Sequence, residues 1–401
     1  MNAFSSVGPP QERNSRQVQL VGILERLCQK LEPTETQYDV AKTRYEVIGR
    51  WIADSPHPLL SDAVLYPQGS FAIRTATRPL AECEYDVDLV AHMARLGFQP
   101  EPEALKKALG DRLREHATYS KMLQEMGRCW RLNYANEFHM DITPSIPNLR
   151  CTQRGELVPD KHLYGWKPSN PRGYRERFDA RARLMPRLRA ERMTMDSALM
   201  KKSVVEPFPE QDGFKGILRR IVQLAKRHRD IHFRDAQVGL APISVIITTL
   251  ASRSYETCVN NRIYDNELEI LVDVVQGMKD FILQFPSGGR LMWFIENEST
   301  QGENFAEKWN SHPERYEAFF AWHARLLSDV ERLHEAAGMD QVQKAIGDSF
   351  GQAEAKLAFD SIVEDLSAAR TSGGLFVAGS GLTTAARIGA VQVKKNTFFG
   401  D

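Results

Sequence analysis

With 401 residues, 42% of them hydrophobic, the chain is long enough to bury a sizeable core and to divide into two lobes. Lys plus Arg and Asp plus Glu each number 52, which excludes a global field for nucleic acid and leaves polyanion binding to local clusters. The five cysteines, Cys28, Cys83, Cys129, Cys151 and Cys258, are scattered without a CxxC pair or a zinc-like Cys/His spacing. That pattern excludes a disulfide framework and a zinc module, and reads as a reduced, cytoplasmic chain.

Residues 1–15, rich in Ser, Gly, Pro and Gln, are expected to form a flexible leader without a secretion signal, with order starting near Gln17. Apolar residues at helical spacing from Val18 to Leu31 predict a first helix. Thr34 with Gln37 three residues on predicts a capping box that opens a second helix running to Ile52. Val64 to Pro67 reads as a short strand leading into a turn at Gly69-Ser70, with a helix following from Phe71.

Tyr85 to His92 reads as a strand. Its period of two places Asp86, Asp88 and Val90 on one face and Val87 and Leu89 on the other. Glu103 to Thr118 is helical by periodicity. Trp130–Tyr134 and Glu137–Ile142 predict two strands joined at Ala135-Asn136 as a hairpin, which carries Asp141 beside the earlier strand on the face of His139. Two carboxylates one residue apart on a strand and a third on its neighbour are what two-metal nucleotidyl transfer requires, because hard divalent cations take oxygen ligands. Asp86, Asp88 and Asp141 are therefore the candidate catalytic and metal-binding residues. Gly69 lets backbone approach phosphate, and Ser70 offers a hydroxyl and an N–H for it. No Gly-Lys-Ser/Thr follows, so this is not a Walker loop and other cations must help; Lys226 is the candidate.

From Arg150 to Lys202 the composition shifts to a turn-rich connector with interleaved aromatics and eight arginines between Arg172 and Arg192. That cluster is either a solvated surface or a ligand site. Helical patterns then dominate over 216–230, 241–252, 267–285, 313–337 and 341–370. The apolar run from Val238 to Ala251 contains Pro242, is too short to span a bilayer and reads as a core helix. Beyond Thr371 glycine, alanine and serine accumulate and structure is expected to thin out. The expected organisation is a leader over 1–15, a catalytic lobe with N-terminal helices and connector over 16–200, a helical lobe over 201–370 and a flexible tail over 371–401.

Gln68-Gly69-Ser70, Thr75, Asp86-Val87-Asp88 and Asp141 before Pro144 resemble the motifs of the polymerase-β-type nucleotidyltransferases, and within them the CD-NTases, bacterial relatives of cyclic GMP-AMP synthase. The likeness continues through Trp166–Tyr174, through Val222–Asp230, which is similar to the helix carrying that family's triphosphate-binding lysine, and to Ser244, which matches a phosphate-contacting serine. It covers roughly residues 40–260. The resemblance implies a mixed α+β, bilobed fold, with a mixed-sheet catalytic lobe packed on a helical lobe and the active site in the cleft. Gln68, Gly69, Ser70, Lys226 and Ser244 would bind nucleotide. Two Mg²⁺ ions, with Mn²⁺ as substitute, would assist in joining nucleoside triphosphates, ATP among them, into a cyclic di- or trinucleotide.

The family's products signal phage infection to a separate effector. Implied protein partners are regulators or a system that conjugates the C-terminal tail; no membrane is implied. Two departures stand out. Val245 occupies the place where relatives often carry a base-stacking aromatic, and the animal enzyme's zinc-binding insertion is absent. Two other readings stay open: a transferase that modifies RNA or protein, for which the arginine cluster would hold the macromolecule, and a non-catalytic nucleotide or RNA sensor on the same fold.

Overall fold

Thr34 turns the chain between the first two helices. Its hydroxyl accepts from the Gln37 amide at 3.2 Å while the Gln37 side chain accepts from the Thr34 amide at 2.9 Å, the capping box that the spacing predicts. The protein is described by a computed structural model that covers residues 10–80, 85–96, 99–135, 137–160, 162–189, 215–236, 239–336, 338–378, 381–383 and 391–393.

The chain opens with α1 (Pro10–Leu31) and α2 (Glu35–Ala53), then β1 (Ala63–Pro67), the single turn α3 (Gly69–Ala72) and β2 (Tyr85–Met93). α4 (Pro102–Arg114), α5 (Tyr119–Met122), β3 (Leu123–Glu125), β4 (Trp130–Tyr134) and β5 (Phe138–Pro147) follow. β6 (Glu156–Pro159), β7 (Trp166–Ser169), α6 (Pro171–Ala182) and β8 (Arg187–Leu188) form the connector. The remainder holds α7 (Ile217–His232), α8 (Ser244–Asn261), β9 (Ile263–Tyr264), α9 (Glu267–Gly277), β10 (Leu283–Ser287), β11 (Arg290–Phe294), α10 (Glu314–Glu335), α11 (Met339–Phe350) and α12 (Gln352–Ser372), and then β12 (Phe376–Ala378), β13 (Gly381–Thr383) and β14 (Val391–Gln392).

The main sheet runs in the order β1-β2-β5-β4-β3, with β6 and β7 continuing from the end of β5. β2 and β5 are parallel while β1 and β4 flank them antiparallel, which makes the sheet mixed. Alternation along the strands decides which face is buried. Val87, Leu89, Leu132, Met140 and Ile142 are fully buried against Ile48 and Ile52 of α2 and Leu105 and Leu109 of α4. The acids of the same strands therefore project from the opposite face. A second core gathers Leu24 and Leu27 of α1 with α7 to α12, including Phe319, Trp322 and Phe350. Ile73, just after the Gly-Ser turn, packs into this second core, so the turn is anchored on both sides.

Several expected boundaries differ. α1 begins at Pro10, inside the stretch expected to be a leader; residues 1–9 lie outside the described residues. The helix expected over 267–285 ends at Gly277, and a hairpin takes over. Gly288 and Gly289 have φ +57° and +76° between Ser287 and Arg290, the two positive dihedrals that a tight hairpin turn demands, so Gly-Gly outweighs helical periodicity there. The pattern over 341–370 is two helices, broken at Gly351 with φ +111°. Within 371–401, expected to be a flexible tail, β12 pairs with β13 and β14; residues 394–401 lie outside the described residues. Among the described residues no helix is long and apolar enough to cross a membrane.

Candidate active site

Parallel pairing of β2 and β5 sets Asp88 opposite Asp141 and Asp86 opposite His139, with neighbouring strands about 4.8 Å apart. On the other side of β5, antiparallel β4 sets Arg131 opposite Asp141. The Arg131 guanidinium grips Asp141 with both prongs, Nε to Oδ1 at 2.7 Å and Nη2 to Oδ2 at 2.8 Å, and the same Nη2 lies 3.5 Å from Asp86 Oδ1. The three predicted acids thus share one face of two adjacent strands, with a fixed cation between two of them. Among the described residues no three His, Cys, Asp or Glu side chains are already drawn together as a metal cage. The donor set itself suits a hard divalent cation, being all carboxylate oxygen.

Gly69 takes φ +63° at the end of β1, and its backbone lies against Asp88. A β-carbon there would stand 2.4 Å from Asp88 Oδ2, so glycine is what allows the turn and the acid to share the space. Only one helical turn follows, Gly69–Ala72, in place of the helix expected from Phe71; little macrodipole is available and local N–H and hydroxyl groups must suffice. Four side chains of α7 fix the segment after this turn by donating to its carbonyls. Arg219 reaches Ile73 at 3.0 Å, Lys226 reaches Thr75 at 2.8 Å, Gln223 reaches Ala76 at 3.2 Å and Arg227 reaches Arg78 at 3.3 Å. Positions 219, 223, 226 and 227 fall on one stripe of a helix, which is why one element can serve four backbone carbonyls between residues 73 and 78.

Gln68, Gly69, Ser70, Asp88, Lys226 and Ser244 all line one cleft of about 910 Å³, within the range of small-molecule sites. Ser244 begins α8 and accepts from Arg229 Nη1 at 2.9 Å. Thr75 also faces the cleft, and its buried hydroxyl has no hydrogen-bond partner among the described residues. Asp86 and Asp141 stand beside this lining, joined through Arg131. A smaller apolar pocket of about 190 Å³ under Phe71, Val87 and Phe138 lies on the other side of the sheet and holds none of the three acids.

Sequence reasoning passed over Arg131, Arg229 and the segment around Asn297–Trp309. Cross-strand register with Asp141 is the signal that could have found Arg131. Phe305, from the overlooked segment, meets Tyr174 edge to face in the cleft with ring centroids 6.0 Å apart. The arginine cluster divides: Arg181 is spent on Glu256 and Glu298 at 2.8 and 2.7 Å, Arg172 stacks on Tyr66 at 3.9 Å, and Arg175 lines the cleft. Arg192 lies outside the described residues.

Burial, with Asp141 and Asp86 as like-charged neighbours, pushes Asp88 up to about 7. Asp86 moves in the same direction, again chiefly through loss of water, although its side chain is 62% exposed and well screened. Burial and then Arg229 bring Lys226 down to about 7. Because the folded state holds the Asp88 proton more tightly than an unfolded chain, this group favours folding fully only below the ordinary carboxylate range. That contribution is lost as pH rises through about 7. Asp88→Asn mimics the protonated form, so in EDTA the variant should melt with the wild type at pH 4 and above it at pH 8, as read by scanning fluorimetry. A variant that melts lower at pH 8 would contradict the assignment of a strained carboxylate.

Residues 19–181 match the SMODS family, described as the Second Messenger Oligonucleotide or Dinucleotide Synthetase domain. The chain is 28% identical over 390 residues to a c-di-GMP synthase of Roseivirga ehrenbergii, covering 97% of this chain and 99% of the relative. It is 32% identical over 228 residues to the cyclic dinucleotide synthase CdnG of Bradyrhizobium diazoefficiens, 53% of each protein. The solved structure of that CdnG in complex with GTP superposes with a TM-score of 0.62 at 21% identity, covering 86% of this chain and 99% of the other. The Vibrio cholerae cyclic AMP-GMP synthase DncV, with a nonhydrolyzable GTP, gives 0.51 at 14% identity over 88% and 93%. These likenesses establish the bilobed nucleotidyltransferase fold.

Proposed function

We propose that the chain is a SMODS-type nucleotidyltransferase that joins two nucleoside triphosphates into a cyclic dinucleotide with release of pyrophosphate, as the family match over residues 19–181 and the full-length likeness to a c-di-GMP synthase support. The observation that carries the reading is the single face formed by Asp86, Asp88 and Asp141 beside a glycine turn and a cleft-facing lysine. Mg²⁺ or Mn²⁺ held by the three carboxylates would offset phosphate charge and make the acceptor hydroxyl easier to deprotonate. The chain's own residues do the rest. The Gly69-Ser70 turn, the Thr75 hydroxyl and Ser244 seat the donor triphosphate, and Lys226 turns its ammonium from the Thr75 carbonyl toward it. Asp86 and Asp88 face the α-phosphate, and Asp141 directs the acceptor ribose hydroxyl for in-line attack.

With Val245 in place of an aromatic, Phe305 and Tyr174 offer the ring surface for a base. Both curated relatives are named as cyclic dinucleotide synthases, one of them for c-di-GMP, so GTP is the first triphosphate to test, with ATP beside it. We place the product in antiphage signalling through a separate effector, with the enzyme in the cytoplasm. A regulatory protein partner is supported by the solved complex of E. coli CdnC with a HORMA protein, which has a TM-score of 0.58 to this chain.

Incubation with GTP, ATP, CTP, UTP and Mg²⁺, followed by mass spectrometry, tests the reading. Cyclic product without added acceptor supports it; label that appears only on added tRNA or protein sinks it. Lys226→Met should raise KM for the donor triphosphate at least about tenfold, the worth of one charge-assisted contact, while kcat changes less. Triphosphate should also bind with proton uptake above pH 7, because the free lysine titrates near there and the bound one is charged. Calorimetry in two buffers of different ionisation heat reads this; equal heats in both at pH 8 would remove Lys226 from the phosphate site.

A further inference from the structure

We infer that Arg131 is an internal placeholder for a metal ion: its guanidinium neutralises Asp141 and Asp86 in the metal-free enzyme and must release at least one of them before a divalent cation can bind. The inference rests on the carboxylate reading above and adds a positioning residue to it. A carboxylate that meets a metal must present an oxygen lone pair toward it. In Asp141 the two prongs of one rigid fork, at 2.7 and 2.8 Å, take a lone pair on each oxygen and set a positive charge where the ion would enter.

The prong on Asp141 Oδ2 also approaches Asp86, so one planar cation spans two of the three acids. Register explains why it can. Arg131 is the residue of β4 directly opposite Asp141, and cross-strand pairs place long side chains over the same patch of sheet. The Arg131 side chain is 22% exposed and that of Asp141 16%, so the pair is poorly screened by water and either an arginine or a metal must balance it. Release has an exit: the Asp86 side chain is 62% exposed, and an arginine freed from Asp141 can swing to solvent on that side.

Such an arrangement lets the protein keep Asp86 and Asp141 aligned without metal, at the expense of metal affinity. It would make metal entry depend on the triphosphate, whose oxygens supply the ligands that outcompete the arginine. Mn²⁺ binding to the nucleotide-free, full-length protein, followed by electron paramagnetic resonance of the free ion, tests this. Arg131→Gln should tighten Mn²⁺ binding by about tenfold or more, the loss of one charge-assisted competitor. Arg131→Lys, which keeps the charge but not the fork, should fall between Gln and wild type. Unchanged or weaker binding in Arg131→Gln overturns the placeholder.

Asp88→Asn separates this outcome from failure of the parent reading, because it leaves both partners of Arg131 in place. If Asp88→Asn binds Mn²⁺ as wild type does, the carboxylates are not the metal site. If it loses Mn²⁺ while Arg131→Gln matches wild type, only the placeholder falls. Should Arg131→Gln fail to fold, the wild-type protein still decides. The Nε–H resonance of Arg131, identified by its disappearance in Arg131→Lys, should move toward the position of unpaired arginines when Mg²⁺ is added with a nonhydrolysable GTP analogue. A resonance that stays in place at saturation overturns the inference.

Discussion

Asp86→Asn, Asp88→Asn and Asp141→Asn each lower the rate of cyclic product formation by at least about 100-fold, and the double variants fall little further. The floor of that range is what loss of one preorganised electrostatic group costs in a transition state. Carboxylates that act as one unit fail together, which is why the effects do not add. The folded state responds differently at each position, and this makes the activity loss interpretable. Asp86 is 62% exposed, so its amide is accommodated without a change in melting temperature. Asp88→Asn removes a carboxylate that burial and two like charges hold near pH 7, so the variant melts higher than wild type at neutral to alkaline pH while its activity collapses.

Asp141→Asn breaks the fork with Arg131 and leaves that cation short of a partner, so a lower melting temperature is expected there. Three activity losses with three different stability signs cannot come from general unfolding. Initial rates of pyrophosphate release at saturating GTP and Mg²⁺, set beside melting curves, read the pattern. Near-wild-type rates in any two of the three variants would remove the metal-assisted mechanism.

The face that carries the three acids was legible because strand periodicity is strict. A period of two puts Asp86 and Asp88 together, and the hairpin expected at Ala135-Asn136 brings the Asp141 strand alongside; Tyr134 and Phe138 do pair, although Asn136 itself lies outside the described residues. What periodicity cannot give is the identity of a partner across the sheet, and so the role of Arg131 was overlooked although the residue itself was placed in the strand Trp130–Tyr134. The helical lobe was legible as helices but not in its interruptions. Gly288-Gly289 and Gly351 each need a positive φ that ends a repeating pattern, and an amphipathic average over a long window smooths such positions away. Of the four α7 side chains that reach residues 73–78, Lys226 was singled out from the sequence as a cation for phosphate, while the other three were hidden for a different reason. Arg219, Gln223 and Arg227 are polar residues on a buried face, and a reading that sends polar residues to solvent misplaces them until their carbonyl partners are known.

Gly69→Ala should cost activity on the same scale as loss of Asp88, although it adds a single methyl group. The new β-carbon would lie 2.4 Å from Asp88 Oδ2, 3.2 Å from its Cγ and 3.3 Å from its Cβ, so no part of that short side chain clears it. Asp88 is held by β2 between β1 and β5, and Gln68 donates its amide to the Asp88 carbonyl at 2.8 Å. The strand therefore cannot retreat, and the carboxylate must rotate out of the cleft or the turn must lift away from it. In addition, φ +63° costs an L-residue about 1 kcal/mol. That backbone term alone would shift stability and leave chemistry intact; the collision acts on the acid itself.

A double-mutant cycle tells the two apart. In wild type, Gly69→Ala should reduce kcat/KM by about 100-fold, matching the loss of one electrostatic group. With Asp88 already replaced by Asn, the same change should reduce the residual rate only slightly, because the residue it displaces no longer contributes. Gly165→Ala, where a β-carbon meets no atom within 4 Å, should be silent and controls for the substitution type. Equal losses from Gly69→Ala with and without the Asp88 carboxylate would show that the glycine serves phosphate or backbone geometry by itself, and that its contact with Asp88 is incidental.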